Sequence, residues 1–394
     1  MRIRSFPGRG LPNPYIDLFY HALEPHGIYL VGELTLATDL SGADRIDAIH
    51  FSWPEAMWRQ YRPRGTQWLK TLLRKHMPGG WRLVNLVDRL RLLIEATRLH
   101  TKYRQSSGLL KFRLLLRSAQ RNGQHVIWTI HNLDLHEGSD WLDRYGYKLL
   151  ARHTDLLIFH SESAKEMFNM SHRNSALSIV MPHGNYGDVY PTPRRRAVVL
   201  EELGLRDDTP IVGCLGAMRD YKGLNIACDA ATLLGGHVQL LCAGAPHPSF
   251  DIERLRRCFQ GLRHGRLIPE FLSDQRFADY TAICDIVLLP YLKITGSGAL
   301  LAALTLSKGV VASDLPYFRE ILADEPNAGR LVSAGKATAL AQAITDYLQV
   351  PESQRRAAAQ SLSARYDWSK VVMPIVAALQ AWEAEKKHDS LAQS

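Results

Sequence analysis

Short, continuous apolar runs alternate with longer helical stretches over nearly the whole chain, and this alternation restricts the fold more than any other feature. In the first half the runs are Ile28–Val31, Ala48–Trp53, Val126–Ile130, Leu156–His160 and Ile179–Pro182. In the second half they are Ile211–Leu215, Val238–Cys242, Arg266–Ile268, Ile286–Leu289 and Val310–Ala312. Unbroken apolar runs suit strands buried on both faces of a parallel sheet. Their alternation with helices predicts doubly wound α/β domains. A length of 394 residues exceeds the usual size of one core, so two domains are expected. The segment Pro191-Thr192-Pro193-Arg194-Arg195-Arg196 has linker chemistry. It divides an N-terminal domain, 1–190, from a C-terminal domain, 197–370. Residues 371–394 read as a C-terminal helix that could cross back, followed by a frayed tail.

No apolar run approaches the roughly 18–20 residues that span a bilayer, and Met1–Phe6 lacks a signal-peptide core. The five cysteines lie between Cys214 and Cys284 without C-x-x-C spacing, and they read as buried free thiols. The charge is uneven. Between Ala56 and His125 there are sixteen Lys/Arg against only Asp88 and Glu95, a local balance of +14 within a total of +9. Trp58, Arg59, Arg62, Trp68, Lys70 and Arg74 interleave cations with aromatic rings, a pattern suited to an anionic membrane surface. A solvated helix face would also accommodate it. No nucleic-acid recognition module accompanies the patch, so nucleic acid is not expected as a partner.

Two corners carry the candidate chemistry. Ile211–Leu215 opens into Gly216-Ala217-Met218-Arg219-Asp220-Tyr221-Lys222-Gly223, with a helix starting at Leu224. A glycine turn, two cations and a helix N-terminus suit a pyrophosphate. The second corner runs from Ile286–Tyr291 into Thr295-Gly296-Ser297-Gly298 and another helix. Together they predict a phosphorylated ligand, with a nucleotide sugar as the best fit. Arg219, Lys222, Gly216, Ser297 and Gly298 are the donor-binding candidates. Each corner could instead be an exposed turn or a plain helix cap. No Asp-x-Asp motif is present, so neither a metal nor a cofactor is expected.

Other segments recur in order: Asn13-Pro14-Tyr15, His50-Phe51-Ser52-Trp53-Pro54-Glu55, His131-Asn132-Leu133-Asp134-Leu135-His136-Glu137, His183-Gly184-Asn185-Tyr186 and Ser297-Gly298-Ala299-Leu300-Leu301. With the Arg219/Lys222 loop, the set resembles GT-B glycosyltransferases, in particular the bacterial exopolysaccharide (xanthan-type) inverting β-mannosyltransferases. The resemblance covers residues 13–320. It implies two Rossmann-like domains facing a central cleft, a nucleoside-diphosphate sugar donor and a polyprenyl-diphosphate-linked oligosaccharide acceptor. It also implies a cytoplasmic enzyme, peripheral on the inner face of the bacterial membrane. The retaining branch of GT-B enzymes carries two glutamates seven residues apart. Here those positions fall near Thr295 and Ala303, where no acid stands, so inversion is expected.

Inverting transfer needs a base for the acceptor hydroxyl. Glu137 and His131 lead, and Glu55 follows, since all three come after predicted strands at their C-terminal ends. His131 could equally touch the donor sugar or be a core histidine, and Glu137 could be a helix N-terminal acid. His183 and Glu270 are further donor-side candidates, the latter in Pro269-Glu270-Phe271, where a base could lodge. GDP-mannose as donor rests on the resemblance. A UDP-linked glucosyl or glucuronosyl donor, a nucleotide-sugar epimerase and a non-catalytic GT-B binding subunit are the alternatives.

Overall fold

A computed structural model describes residues 1–11, 13–41, 46–59, 98–131, 140–172, 174–187 and 189–392. The chain divides into two compact units. The first comprises Met1–Ile158, His172–Ile179 and Ala381–Ser394, and the second Phe159–Ser171 and Val180–Gln380.

In the N-terminal portion the elements run β1 (Arg2–Phe6), α1 (Tyr15–Leu23), β2 (Tyr29–Glu33), β3 (Ala48–Phe51), α2 (Glu55–Arg59), α3 (Arg98–Arg121), β4 (His125–Ile130), α4 (Trp141–Ala151), β5 (Leu156–Phe159), α5 (Glu162–Ser171) and β6 (Leu177–Val180). The six strands form one sheet in the order β2-β1-β3-β4-β5-β6. The pairs β1–β2, β1–β3 and β3–β4 are parallel, with Phe51 beside Trp128 in register. β3 and β5 are buried throughout, as their continuous apolar sequences require. The α3 helix turns Gln105, Leu109, Phe112, Leu115, Leu116 and Ala119 inward, a three-and-four spacing that makes one stripe.

That stripe meets a buried polar knot. Asp143, wholly buried, accepts from Trp58 Nε1 at 2.9 Å, Arg59 Nε at 2.9 Å and Gln105 Nε2 at 2.9 Å. It also closes a capping box with Asp140 at the start of α4. Burial alone would push the Asp143 carboxyl up, but hydrogen bonds from Arg59 and Trp58 outweigh it and hold the pKa below the ordinary value. The contribution is therefore present at neutral pH and is lost as pH falls through the depressed value. Asp143→Ala leaves the buried Trp58 Nε1–H without its acceptor and breaks the Arg59 ion pair, while Gln105 keeps Asp140, and it is expected to destabilise the protein by about 2–4 kcal/mol. Urea unfolding checks this; an unchanged midpoint would show that the knot contributes nothing.

The second portion runs α6 (Arg196–Leu203), β7 (Ile211–Leu215), α7 (Leu224–Leu233), β8 (Gln239–Ala243), α8 (Ile252–Gln260), β9 (Gly265–Ile268), α9 (Asp274–Ile283), β10 (Ile286–Leu289), α10 (Gly298–Thr305), β11 (Val310–Ser313), α11 (Pro316–Leu322), β12 (Gly329–Val332), α12 (Ala337–Leu348), α13 (Glu352–Arg365), α14 (Trp368–Val371) and α15 (Met373–Ala392). Its sheet has the order β12-β11-β10-β7-β8-β9 and is parallel. From β7 the chain moves to β8 and β9 on one side, then returns to β10 on the other. The switch point therefore lies between β7 and β10, where ligands of such sheets gather.

Three local findings depart from the sequence reading. Cys228 on α7 and Cys258 on α8 form a disulfide, with Cα atoms 6.4 Å apart; the expectation of five free thiols is corrected to Cys214, Cys242 and Cys284. The two helices pack on the same face of the sheet, which brings together residues 30 apart in sequence. Arg194 is docked on the second unit: it donates to buried Asp279 through its backbone N–H at 2.8 Å and its Nε at 2.6 Å, and forks onto Glu202. Finally, Trp58 is fully buried against Phe112 and Tyr147, and Arg59 is ion-paired with Asp143. Trp58 is corrected from a membrane contact to a core residue, and Arg59 is a half-buried side chain held by Asp143. Arg62, Trp68, Lys70 and Arg74 lie outside the described residues.

Candidate functional site

The two predicted corners leave neighbouring strands at the same end of the second sheet. After β7, Gly216 turns with φ +96°, and Arg219 is extended. Asp220–Lys222 form a 3-10 turn, and Gly223 takes φ +67° to start α7. A side chain at Gly223 would run into the Pro290 carbonyl of the second corner. Gly223→Ala therefore combines left-handed strain with a backbone clash. The expected loss is about 2–4 kcal/mol, read as a lower thermal midpoint together with loss of nucleotide binding; wild-type values for both would contradict the packing.

The first corner is tied to the loop after β8. Gly216 N–H donates to Ala243 O at 2.9 Å, Met218 N–H to Ala245 O at 2.8 Å, and His247 N–H to Met218 O at 3.0 Å. It also meets the second corner, where Leu292 N–H donates to Tyr221 O at 2.7 Å. Lys222 Nζ lies 5.7 Å from the centre of the Tyr291 ring, beside the Gly216 turn. Burial, and then the neighbouring Arg219, push its pKa down to about 8. Lys222 is thus a cation held at low hydration beside a second cation, a state that an anionic ligand relieves.

At the second corner Ser297 is the N-cap of α10, its hydroxyl accepting from Leu300 N–H at 3.2 Å. What α10 can offer a phosphate is then its backbone N-terminus, and the Ser297 hydroxyl, an acceptor in the cap, keeps its own O–H to donate. The Tyr186 hydroxyl sits directly over Gly298, with His183 Nε2 close behind. His183 Nδ1 lies 2.6 Å from Gly184 O, and His160 Nδ1 lies 2.9 Å from Met181 O. A carbonyl only accepts, so each Nδ1 carries the proton and each Nε2 presents its lone pair. The rings are 5.6 Å apart. Burial pushes His183 down to about 4; burial and then His183 push His160 down to about 3. Both are neutral at pH 7. They can accept a hydroxyl proton or hydrogen bond but cannot neutralise a phosphate. Trp368 Nε1 donates to Asn185 O at 2.6 Å and fixes this segment from α14. His160 was not singled out in the sequence, although it ends an apolar run at a strand's C-terminal edge.

Glu270 sits on the rim of a cavity of 830 Å³ beside the edge strand β9. It is ion-paired with Arg276 at 2.7 Å, and Arg276 also donates to Tyr280 Oη.

In the first unit, β3 and β4 are neighbours and deliver two of the candidate bases. His131, just beyond β4, stacks on Trp53 at 4.4 Å and meets the edge of Tyr15 at 4.6 Å. Glu55, two residues after Trp53, accepts from Tyr147 Oη at 2.9 Å. Burial pushes the Glu55 pKa up, with its own backbone and Tyr147 pulling the other way. Glu137 lies outside the described residues. His50 is a core histidine, bonded to Tyr20 Oη and Thr129 Oγ1, each at 2.8 Å. Among the described residues no group of three His, Cys, Asp or Glu could hold a metal ion.

Two six-stranded parallel sheets with flanking helices, the second with its switch point between β7 and β10, have the architecture of the GT-B fold. Residues 209–350 match the family model described as Glycosyl transferases group 1. It is 27% identical over 211 residues to the GDP-mannose:glycolipid 4-beta-D-mannosyltransferase of Xanthomonas campestris, covering 50% of this chain and 53% of that one. It is 34% identical over 165 residues to the phosphatidyl-myo-inositol mannosyltransferase of Mycobacterium leprae, covering 39% and 42%. These matches span about half the length of the curated relatives or less. The crystal structure of Anabaena HepE in complex with UDP and glucose is similar over 97% of this chain and all of that one, with a TM-score of 0.64 and 17% identity.

Proposed function

We propose that this protein is an inverting glycosyltransferase that moves mannose from GDP-mannose onto a polyprenyl-diphosphate-linked oligosaccharide in exopolysaccharide synthesis, working at an anionic membrane surface. The observation that carries the reading is the pair of interlocked corners at the switch point of the second sheet, with Arg219 and Lys222 on one and the α10 N-terminus on the other. Mannose, GDP and a glycolipid acceptor are supported by the partial likeness to the two mannosyltransferases.

The reaction is one in-line displacement. A base removes the proton of the acceptor hydroxyl, the oxygen attacks the anomeric carbon, and the nucleoside diphosphate leaves with its negative charge. Arg219 and Lys222 neutralise that charge, and the backbone N-terminus of α10 adds to it. His183 and His160, neutral and with Nε2 lone pairs, suit hydroxyl groups of the donor sugar. Glu55, His131 and Glu137 are the candidate bases. Inversion is supported by the lack of an acid at Thr295 and Ala303.

Calorimetry with GDP, UDP and ADP tests the donor side, followed by assay of GDP-mannose with a lipid-linked acceptor. Selective GDP binding and mannosyl transfer are expected. Selective UDP binding would move the reading to a UDP-hexose enzyme, and no binding of any of the three would remove the pyrophosphate assignment.

A further inference from the structure

The outer surface of the first unit carries a pattern that the reaction does not use. The α3 helix has seven Lys/Arg and no Asp or Glu over its 24 residues. Its inner stripe is filled by Gln105, Leu109 and Phe112, so the opposite face should be wholly polar. It is not. Tyr103 is 64% exposed, Leu110 60% and Leu114 50%, interspersed with exposed Lys102, Lys111 and Arg117. The α4 helix packs beside α3 through Gln105 and Asp143. It adds Trp141 at 59% and Tyr145 at 43% exposure, with exposed Arg144 and Lys148. Its one acid, Asp143, is buried and paired.

We propose that the outer faces of α3 and α4 form a docking surface for an anionic lipid membrane. A solvated face would mix charges of both signs and would not hold two leucines, two tyrosines and a tryptophan all exposed side by side. Nucleic acid would use the cations and rings but has no partner for Leu110 and Leu114. A lipid interface takes all three classes: aliphatic side chains enter the acyl boundary, Trp and Tyr rest at the head-group level, and Lys and Arg meet anionic head groups. The cations on long stems also let the apolar groups sink while the charge stays wet. This inference rests on the membrane side of the reading above, and replaces Trp58 and Arg59 with surface residues.

The test uses the full-length protein with sedimentable vesicles of phosphatidylcholine, with and without phosphatidylglycerol. One variant carries Leu110→Gln, Leu114→Gln and Trp141→Gln; a second carries Lys111→Gln, Arg117→Gln and Lys148→Gln. Thermal midpoint and GDP binding serve as folding controls. The wild type is expected to bind the anionic vesicles and to release at high salt. The charge variant should lose about fivefold in partition for each cation removed, and the apolar variant roughly tenfold in all. GDP affinity should not change. If both folded variants bind vesicles as the wild type does, this surface is the wrong one. If the wild type ignores vesicles yet binds nucleotide, the membrane reading itself fails while the donor reading stands. Binding to duplex DNA that the charge variant loses and the apolar variant keeps, without vesicle binding, would make the surface one for nucleic acid.

Discussion

Lys222→Met is expected to weaken nucleoside-diphosphate binding by about tenfold to a hundredfold, the range set by losing a hydrogen-bonded cation from a phosphate. The wild type should also show a signature that the variant lacks. The free Lys222 amine titrates near pH 8, pushed down by burial and by Arg219. A bound diphosphate favours the charged form, so binding takes up a proton on the alkaline side. Affinity should therefore be level below pH 7 and fall as pH rises through 8, by at most tenfold per unit. Calorimetry across pH 6.5 to 9.5, in buffers of differing ionisation enthalpy, separates the two effects (these pH limits are about one to two units either side of that value). A flat wild-type profile would detach Lys222 from the phosphate. Arg219→Ala should weaken binding too, while raising the pKa of the remaining lysine by removing its like-charged neighbour.

Glu55→Gln carries the second large effect. Glutamine keeps the size of the side chain and an oxygen for the Tyr147 hydroxyl, but it cannot accept a proton. If Glu55 is the base, kcat should fall by about 10²-fold or more with donor affinity unchanged. The wild-type rate should also decline on the acid side at a pH above that of an ordinary glutamate, because burial raises the Glu55 pKa. Wild-type turnover in Glu55→Gln would transfer the role to Glu137 or His131. Parallel Glu137→Gln and His131→Ala variants decide between those two. Loss of donor affinity in His131→Ala would place that ring against the sugar.

The two sheets were legible because a parallel strand buried on both faces writes itself as an unbroken apolar run. Ile211–Leu215 and Ile286–Leu289 appear with the same bounds in the fold. β1 was not legible for the opposite reason: Arg2-Ile3-Arg4-Ser5-Phe6 alternates, although it sits between β2 and β3. Arg2 is exposed and Arg4 half-buried, while Ile3 and Ser5 face the core. The donor corner could be read from local chemistry, since a glycine turn and a helix start need only neighbours in sequence. Contacts set by tertiary packing could not. Nothing in the spacing of Trp58 and Arg59 tells which side of α2 faces Phe112, and nothing near Cys228 points to Cys258. His160 needed the Met181 carbonyl, just beyond β6, before its tautomer, and so its chemistry, could be assigned.

The hydrogen bonds that join Gly216 and Met218 to Ala243 and Ala245 have a bearing on engineering. Gly244 has no room for a side chain because the Gly216 carbonyl lies against it. The Arg219–Lys222 loop is therefore one half of a mated pair. Exchanging it alone for the loop of another donor specificity would leave Ala243–His247 shaped for a departed partner. A chimera meant to change the nucleotide should transplant both loops as a single cassette, together with the glycine at which they touch.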